Sequence, residues 1–357
     1  MPPVVAVRGE DGAARMAAAP TGEPGSAKRC GDQAECRFRA LLYCRSQPPR
    51  EVPFEELASL SLSPDDLLWV DLAAPEPAYL RDVLQRLELP EAFADLLPNG
   101  DASPTLRNYG ASFGLRAIAA VMDENQRIAA QPLAICSGTN VVVTAAARTP
   151  AYVERVRERQ QQNIELGAIE AESFVVALLD AQLATYYEGM AALEAQVERL
   201  ELALLSRREL DVLERLRWLR QSASRLRRLL TSHRSVYGGL SRPDFRPALG
   251  ENVNAHFSAL DSRFERALDL AEHSRELVVG TFELFAARAA MSTNRTMQVL
   301  TFVTVLSGAL AVIAGVLGMN FAAPFFESGV RGFWAAVAGM GLICLLAIVF
   351  ARWRRWI

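Results

Sequence analysis

Residues 296–326 read TMQVLTFVTVLSGALAVIAGVLGMNFAAPFF, and residues 332–351 read GFWAAVAGMGLICLLAIVFA. Neither stretch contains Asp, Glu, Lys, Arg or His, although 22% of the whole chain is charged. Each stretch is long enough to cross the hydrocarbon core of a bilayer, which takes about 20 apolar residues in an α-helix. Together they predict a membrane hairpin with spans at about 297–317 and 333–351.

Basic residues flank this hairpin on one side. Arg288 and Arg295 precede the first span and three arginines follow the second, whereas the loop between the spans holds one arginine and one glutamate. Cytoplasmic segments carry the excess of Lys and Arg in membrane proteins. The sequence therefore predicts a multi-pass protein of the cell (inner) membrane with both termini in the cytoplasm.

The first span continues a helical pattern that begins far upstream. No proline lies between Asn252 and Leu317, and a helix of that length would be about 100 Å long, far more than a bilayer requires. Apolar residues recur at alternating steps of three and four, which is typical of helices packed in a bundle. We therefore expect a helical stalk over 151–292 and a two-helix transmembrane domain over 293–357. The stalk pattern has three runs, from Leu179 to Leu204, from Val212 to Leu230 and from Phe257 to Phe285.

Residues 36–150 alternate between strand-like and helix-like patterns, which predicts a cytosolic α/β domain. Residues 1–35 are rich in Ala, Gly and Pro and lack an apolar run, so we expect a disordered tail there. The expected fold class is thus an α+β membrane protein with an N-terminal α/β domain, a long helical stalk and two C-terminal transmembrane helices. The predicted strands are 38–44, 67–72, 113–122, 131–136 and 140–145, and the predicted short helices are 53–60, 76–87 and 90–97.

The composition argues against several classes of protein. A formal net charge of -3 does not suggest a nucleic-acid partner. The single lysine, Lys28, leaves no phosphate-binding loop, and the sequence has no nucleophile elbow or Ser/His/Asp arrangement, so we predict neither an ATP-driven mechanism nor an enzyme. His233, His256 and His273 all fall in the stalk, where we expect them on helix surfaces rather than in a zinc pathway.

Two spans per chain cannot enclose a pathway, so the protein either forms oligomers or does not transport. The first span offers small and hydroxylated residues, which permit close packing of helices and would also suit a narrow pore. These residues leave two possibilities open: a transporter built from several copies, and a non-transporting, membrane-anchored coiled-coil scaffold.

The end of the first span carries the triplet Gly318-Met319-Asn320. A three-residue motif is weak by itself, but this one lies at the end of the first of two C-terminal spans, after a long helix and before a short loop. In this position it closely resembles the signature of the CorA family of divalent-cation transporters, within the CorA/ZntB-like metal ion transporter superfamily. The resemblance extends to residues 294–301, to Trp69-Val70-Asp71-Leu72 and to residues 138–144.

The resemblance implies a homopentameric funnel in the lipid bilayer, with five copies of the first span around a pore and the second span on the lipid side. It implies influx of Mg²⁺ driven by the membrane potential and gated by cytosolic metal. Gly318, Met319 and Asn320 would form the mouth, where a neutral ring of Asn320 oxygens binds a hydrated cation, because Mg²⁺ gives up its water reluctantly. Asn294, Met297 and Leu300 match inner pore positions, where the Met and Leu rings would form an apolar constriction.

Further positions are implied less directly. Glu327, the acidic residue of the loop, would concentrate cations at the entrance, or it is simply a solvated loop glutamate. Family members hold a regulatory metal between the α/β domain and a neighbouring stalk, which points to Asp95 with Asp261 as its candidate partner; a solvated helix face is the alternative for each. Gly308 and Ala311 depart from the family pattern, which leaves the transported ion open. Zn²⁺, Co²⁺ and Ni²⁺ are alternatives to Mg²⁺, and a proton-coupled zinc transporter of the ZntB type is the alternative function.

Overall fold

The protein is described here from a computed structural model. It describes residues 37–44, 47–97, 103–123, 127–162, 170–206, 212–245, 251–319 and 329–354. The predicted tail at 1–35 lies outside these residues.

A seven-stranded mixed sheet forms the N-terminal part of the described chain. The strand order is β2-β1-β3-β7-β6-β5-β4, and β3 pairs with β7 in parallel while the other neighbours are antiparallel. All five predicted strands are confirmed, whereas β2 and β4 were not predicted because they are too short to show an alternating pattern. The strands are β1 (Arg37–Tyr43), β2 (Arg50–Glu51), β3 (Leu67–Ala73), β4 (Thr105–Asn108), β5 (Phe113–Met122), β6 (Ile128–Ser137) and β7 (Val141–Ala146).

Helices cover both faces of this sheet, because alternate strand residues are apolar on both sides. Leu68 and Val70 pack on the face that carries the three predicted short helices, whereas Leu67 and Trp69 pack against the stalk helices. The sheet and the sheet-proximal half of the stalk thus share one hydrophobic core, and the domain boundary at residue 150 stays a prediction. The short helices are Phe54–Ser59 and Glu91–Leu96, both of the 3-10 type, and α1 (Pro77–Arg86).

The stalk is a bundle in which α6 (Glu251–Leu317) is a single helix of 67 residues. This confirms the prediction of one helix that runs from the stalk into the first span. The hydroxyls of Ser274 and Thr281 donate to carboxylates 80 residues earlier, at 3.0 Å and 2.9 Å, so α3 runs parallel to α6. The other stalk helices are α2 (Ala151–Gln162), α3 (Ala171–Ser206), α4 (Val212–Thr231) and α5 (Arg234–Leu240).

Two helices are long and apolar enough to cross a membrane, one within Asn254–Leu317 and the other α7 (Gly329–Trp353). Their most apolar stretches are not buried inside the chain at all. The two predicted spans are therefore confirmed as helices, and the architecture is the predicted one: a sheet domain, a long helical stalk and two apolar C-terminal helices.

Candidate ion pathway and metal sites

The membrane end of α6 presents one face on which most of the predicted pore residues lie. At about 100° per residue, Asn294, Met297, Leu300, Thr304 and Gly318 fall within an arc of about 120°. The helix is uninterrupted over this stretch. The three predicted inner-pore residues and the first residue of the triplet therefore lie on one broad face of the helix, which we call the pore face.

The pore face is exposed in a single chain. The exposed fractions of Met297 and Leu300 are 60% and 65%, and Asn294 is exposed as well. The Thr304 hydroxyl donates to the Leu300 carbonyl at 2.8 Å, so it is satisfied within its own helix. An amide and a series of small residues on an otherwise apolar helix favour contact with protein or water rather than lipid.

The last turn of α6 leads directly into the triplet. The Gly318 N–H donates to the Ala314 carbonyl at 2.9 Å, and the Met319 N–H donates to the Val316 carbonyl at 3.2 Å. A Cβ added at Gly318 would approach the Ala314 oxygen to 3.3 Å, which is a close contact. The C-terminal end of a helix presents free carbonyl oxygens and partial negative charge, both favourable to a cation. Asn320 and Glu327 lie outside the described residues.

The predicted regulatory carboxylates each have a partner in their own chain. Asp95 lies in the 3-10 helix Glu91–Leu96, its side chain is 64% exposed, and its carboxylate is 3.6 Å from Arg107 Nη1. The carboxylate of the half-buried Asp261 accepts from the Ser241 hydroxyl at 3.2 Å. Within the described part of one chain, no three His, Cys, Asp or Glu side chains group together as a metal site. A metal at either carboxylate would therefore need ligands from elsewhere, such as a second copy or water.

Asp95 sits on a rigid support. Arg116, on β5, donates to the carbonyl oxygens of Leu96 at 2.8 Å and Ser103 at 3.0 Å, and its contact with the Asp95 carbonyl is 3.3 Å. Burial lowers the pKa of Arg116, but backbone oxygens accept its donors. The carboxylate of Asp95 is thus exposed on a short helix that is fixed to the sheet.

Sequence reasoning missed a buried ion pair in the segment that resembles the family. Asp71 on β3 and Arg157 on α2 are 6% and 4% exposed, and Arg157 Nη2 lies 2.7 Å from Asp71 Oδ2. Thr144 donates to Asp71 Oδ1 at 2.6 Å and accepts from the Trp69 indole at 3.0 Å. The signal was an aspartate in a strand whose neighbours are all apolar. Its role in this chain is to fix α2 against strands β3 and β7.

His233 was expected on a helix surface, and that prediction is wrong, because its side chain is fully buried. Its Nδ1 is 2.8 Å from the Leu229 carbonyl, to which it donates, and its Nε2 accepts from the Ile118 N–H at 2.9 Å. Burial lowers the pKa of His233 to about 4. Gln182 and Tyr186 donate to the Ile118 carbonyl at 2.6 Å and 2.7 Å. Side chains from the stalk thus form hydrogen bonds with the backbone of β5 beyond the point where its pairing with β4 ends.

Most of the chain matches a known protein family. The family model described as "CorA-like Mg2+ transporter protein" matches residues 64–353, from strand β3 to the end of α7. The chain belongs to the CorA family. It is a family of transporters, which agrees with the prediction that the protein is not an enzyme.

Two sequence relatives support the same assignment, and one solved structure has the same fold. The chain is 27% identical to the divalent cation transporter CmaX of Pseudomonas aeruginosa over 321 residues, which cover 86% of this chain and 93% of that protein. It is 26% identical to the cobalt/magnesium transport protein CorA of Thermotoga maritima over 205 residues, 57% of this chain and 58% of that protein. The complete structure of the CorA magnesium transporter of Methanocaldococcus jannaschii has the same fold, with a TM-score of 0.71 and 19% identity over 89% of this chain and 98% of that one.

Proposed function

We propose that the protein carries divalent metal cations across the cell (inner) membrane, with Mg²⁺ as its main substrate. One observation carries this proposal: the triplet Gly318-Met319-Asn320 directly follows the end of α6, the first of two apolar helices, in a chain of the CorA family. Two relatives, a divalent cation transporter and a cobalt/magnesium transport protein, carry substrates of the same class.

The pathway would be formed by a homopentamer, because one pair of helices cannot enclose a pore. Five copies of α6 would turn their pore faces to a common axis and leave α7 to the lipid. At the mouth, the Asn320 amides and the carbonyl oxygens that end α6 would provide a neutral oxygen ring for a hydrated ion. Farther in, Met297 and Leu300 would form apolar rings that close the pore by dewetting.

The driving force would be the membrane potential. Moving one elementary charge through 100 mV is worth about 2.3 kcal/mol, so a doubly charged cation gains about 4.6 kcal/mol. No nucleotide hydrolysis is then needed for inward transport. This direction requires both termini to be cytoplasmic, as the flanking arginines suggest, and Glu327 would attract cations at the outer entrance.

Cytosolic metal would close the pore through Asp95 and a neighbouring copy's Asp261. Carboxylates brought together from two chains repel each other, and a shared divalent cation would replace that repulsion by attraction. The 3.6 Å contact of Asp95 with Arg107 is exposed and therefore weak, so a metal can displace it. Asp95→Ala is expected to abolish the protection that Mg²⁺ gives against proteolysis, and unchanged protection would contradict this regulatory site.

The test of transport is ion flux into proteoliposomes that contain the purified full-length protein. Flux of Mg²⁺, Zn²⁺, Co²⁺ and Ni²⁺ is measured with and without a pH gradient, for the wild type, for Asn320→Ala and for Asn254→Ala. The last variant is the matched control, since Asn254 is an exposed asparagine at the sheet end of α6. We expect Mg²⁺ flux without a pH gradient, lost in Asn320→Ala and kept in Asn254→Ala.

Other outcomes would replace the proposal. Zinc flux that depends on the pH gradient, without Mg²⁺ flux, would identify a transporter of the ZntB type. Absence of flux for every ion, with a stable oligomer in detergent, would favour the scaffold. Unchanged Mg²⁺ flux in Asn320→Ala would refute the role of the triplet.

A further inference from the structure

Helix α4 has an unusual charge that the proposed transport does not use. Its 20 residues include six arginines and one glutamate, in a chain whose formal net charge is -3. One face of α4 is buried in the stalk through Leu216, Leu219 and Leu226. The arginines therefore lie on the remaining faces of α4.

Four of these arginines line a cavity of about 940 Å³ between α4 and the edge of the sheet. They are Arg217, Arg220, Arg225 and Arg228, all of them exposed. In the described part of the chain, none of these four arginines forms an ion pair, and no Asp or Glu lines the cavity. Arg227 points elsewhere and pairs with Glu272 at 2.5 Å. Four like charges on one helix face repel each other, so this cavity favours an anion.

The rest of the lining indicates the size and chemistry of that anion. Ser224, Ser232 and Gln221 add hydroxyl and amide groups beside the guanidinium groups, and Ile118 and Pro132 provide an apolar wall from the sheet. The four arginines extend over 12 residues, or about 16 Å of helix, which is more than one phosphate group spans. Guanidinium forks match pairs of phosphate oxygens, and the volume lies within the range of small-molecule sites.

The cavity is too far from the bilayer for this anion to be a lipid headgroup. Arg227 pairs with Glu272 and Arg234 with Glu265, so α4 and the following helix run antiparallel to α6. In that register Arg220 lies level with a point about 18 residues before the first span, which is about 27 Å along the helix. Electrostatic attraction to a charged surface is screened within about 8 Å at physiological salt. A soluble anion is therefore the better match.

We propose that the cavity between α4 and strands β5 and β6 binds a soluble polyphosphate anion, of the pyrophosphate or nucleoside polyphosphate class. The phosphate groups would lie along the four arginines, and an attached base or other apolar group would lie against Ile118 and Pro132. Binding of this kind is separate from the ion pathway, because none of the lining residues belongs to the pore face.

The test is calorimetric titration of the metal-free, full-length protein in detergent with sodium pyrophosphate, ATP, adenosine and sulfate. The variant Arg220→Gln/Arg225→Gln removes two of the four charges, and Arg199→Gln/Arg266→Gln removes two exposed arginines of α3 and α6 as the matched control. All four side chains are exposed, and thermal unfolding verifies that both variants fold. We expect saturable binding of pyrophosphate and ATP that weakens about tenfold or more in the first variant and less than about twofold in the control.

Several results would overturn the proposal. It is wrong if neither pyrophosphate nor ATP binds the wild type at millimolar concentration, or if both double variants lose affinity equally. It is also wrong if the Arg220→Gln/Arg225→Gln variant loses binding only to vesicles that contain phosphatidylglycerol, since the arginines would then recognise lipid. Tighter binding of ATP than of pyrophosphate would support the nucleoside polyphosphate class, and equal binding would support the pyrophosphate class.

Discussion

Acidification from pH 7 to pH 5 should loosen the junction between the stalk and the sheet through one side chain, His233. Its Nε2 accepts the Ile118 N–H at 2.9 Å, and the rings that face it are those of Tyr186 and Tyr237, with centroids 5.9 Å and 6.2 Å away. A second proton on the imidazole would remove the acceptor and place a positive charge against the Ile118 N–H. Because the ring is buried, where a charged form is poorly solvated, the pKa of His233 is lowered from 6.5 to about 4.

These two pKa values fix the direction and the size of the effect. The unfolded chain binds a proton at this histidine below about pH 6.5, whereas the folded chain binds it only near pH 4. The stability that the chain gains from the neutral His233 is therefore fully present above pH 6.5, decreases as the pH falls from there, and is fully lost below about pH 4. The linkage relation gives a loss of about 2 kcal/mol per subunit at pH 5 and about 3 kcal/mol at the acidic limit. About 2 kcal/mol corresponds to a decrease in Tm of roughly 3 °C in a chain of this size.

The measurement is thermal unfolding of the full-length protein in detergent at pH 7, 6 and 5. His233→Gln keeps a polar side chain at the position and cannot titrate, and His273→Gln removes an exposed stalk histidine as the control. Between pH 7 and 5, we expect the Tm of the wild type and of His273→Gln to fall by roughly 3 °C more than that of His233→Gln. Equal decreases in all three proteins would refute the assignment of this pH dependence to His233.

Three further substitutions test the packing and the pore. Phe264→Ala removes a fully buried ring that stacks on the Tyr237 ring, with the centroids 4.5 Å apart. Chemical denaturation should show a loss of about 3–5 kcal/mol in unfolding free energy. A smaller loss than that of Phe264→Leu would contradict the packing. Arg157→Leu leaves the buried Asp71 without its partner, which should cost about 3–5 kcal/mol by the same measurement, and Asp71→Asn in that background should restore part of it. Leu300→Ser should wet the proposed constriction and raise basal Mg²⁺ flux into proteoliposomes, whereas Leu306→Ser, on the opposite side of α6, should not; equal effects would argue against the pore face.

The elements that could be predicted from the sequence are those whose signals are local. Helix α6 was expected from Asn252 to Leu317 and runs from Glu251 to Leu317, because helix-breaking residues, apolar spacing and lack of charge all act within a few residues of where they occur. The helices at the sheet surface were located for the same reason. Strand β4 depends instead on its pairing with β5, so Thr105–Asn108 carries no alternating pattern of its own.

For the candidate sites, the sequence predicted positions on one helix but not contacts between distant parts of the chain. Asn294, Met297 and Leu300 could be assigned to one helix face by counting residues. The burial of His233 had a signal in the sequence, because the spacing of the buried Leu226 and Leu230 continues to it. Gly238 and Gly239, shortly after it, instead indicated that the apolar run had already ended. The ion pair of Asp71 depends on a partner 86 residues away. Contacts of that kind arise from the tertiary fold, and sequence spacing does not encode them.

Helix α6 serves two different partners with two different faces. At about 100° per residue, the buried stalk face from Phe257 to Phe285 and the pore face from Asn294 to Gly318 are centred about 100° apart. The chain satisfies the first face itself, since Phe264 is fully buried, and leaves the second exposed, with Met297 at 60%. Because no proline interrupts α6, a displacement of its sheet end must rotate or translate the pore face as well. A metal that fixed the stalk of one copy against the sheet of the next would therefore fix the proposed constriction too, although the two lie on separate parts of the chain.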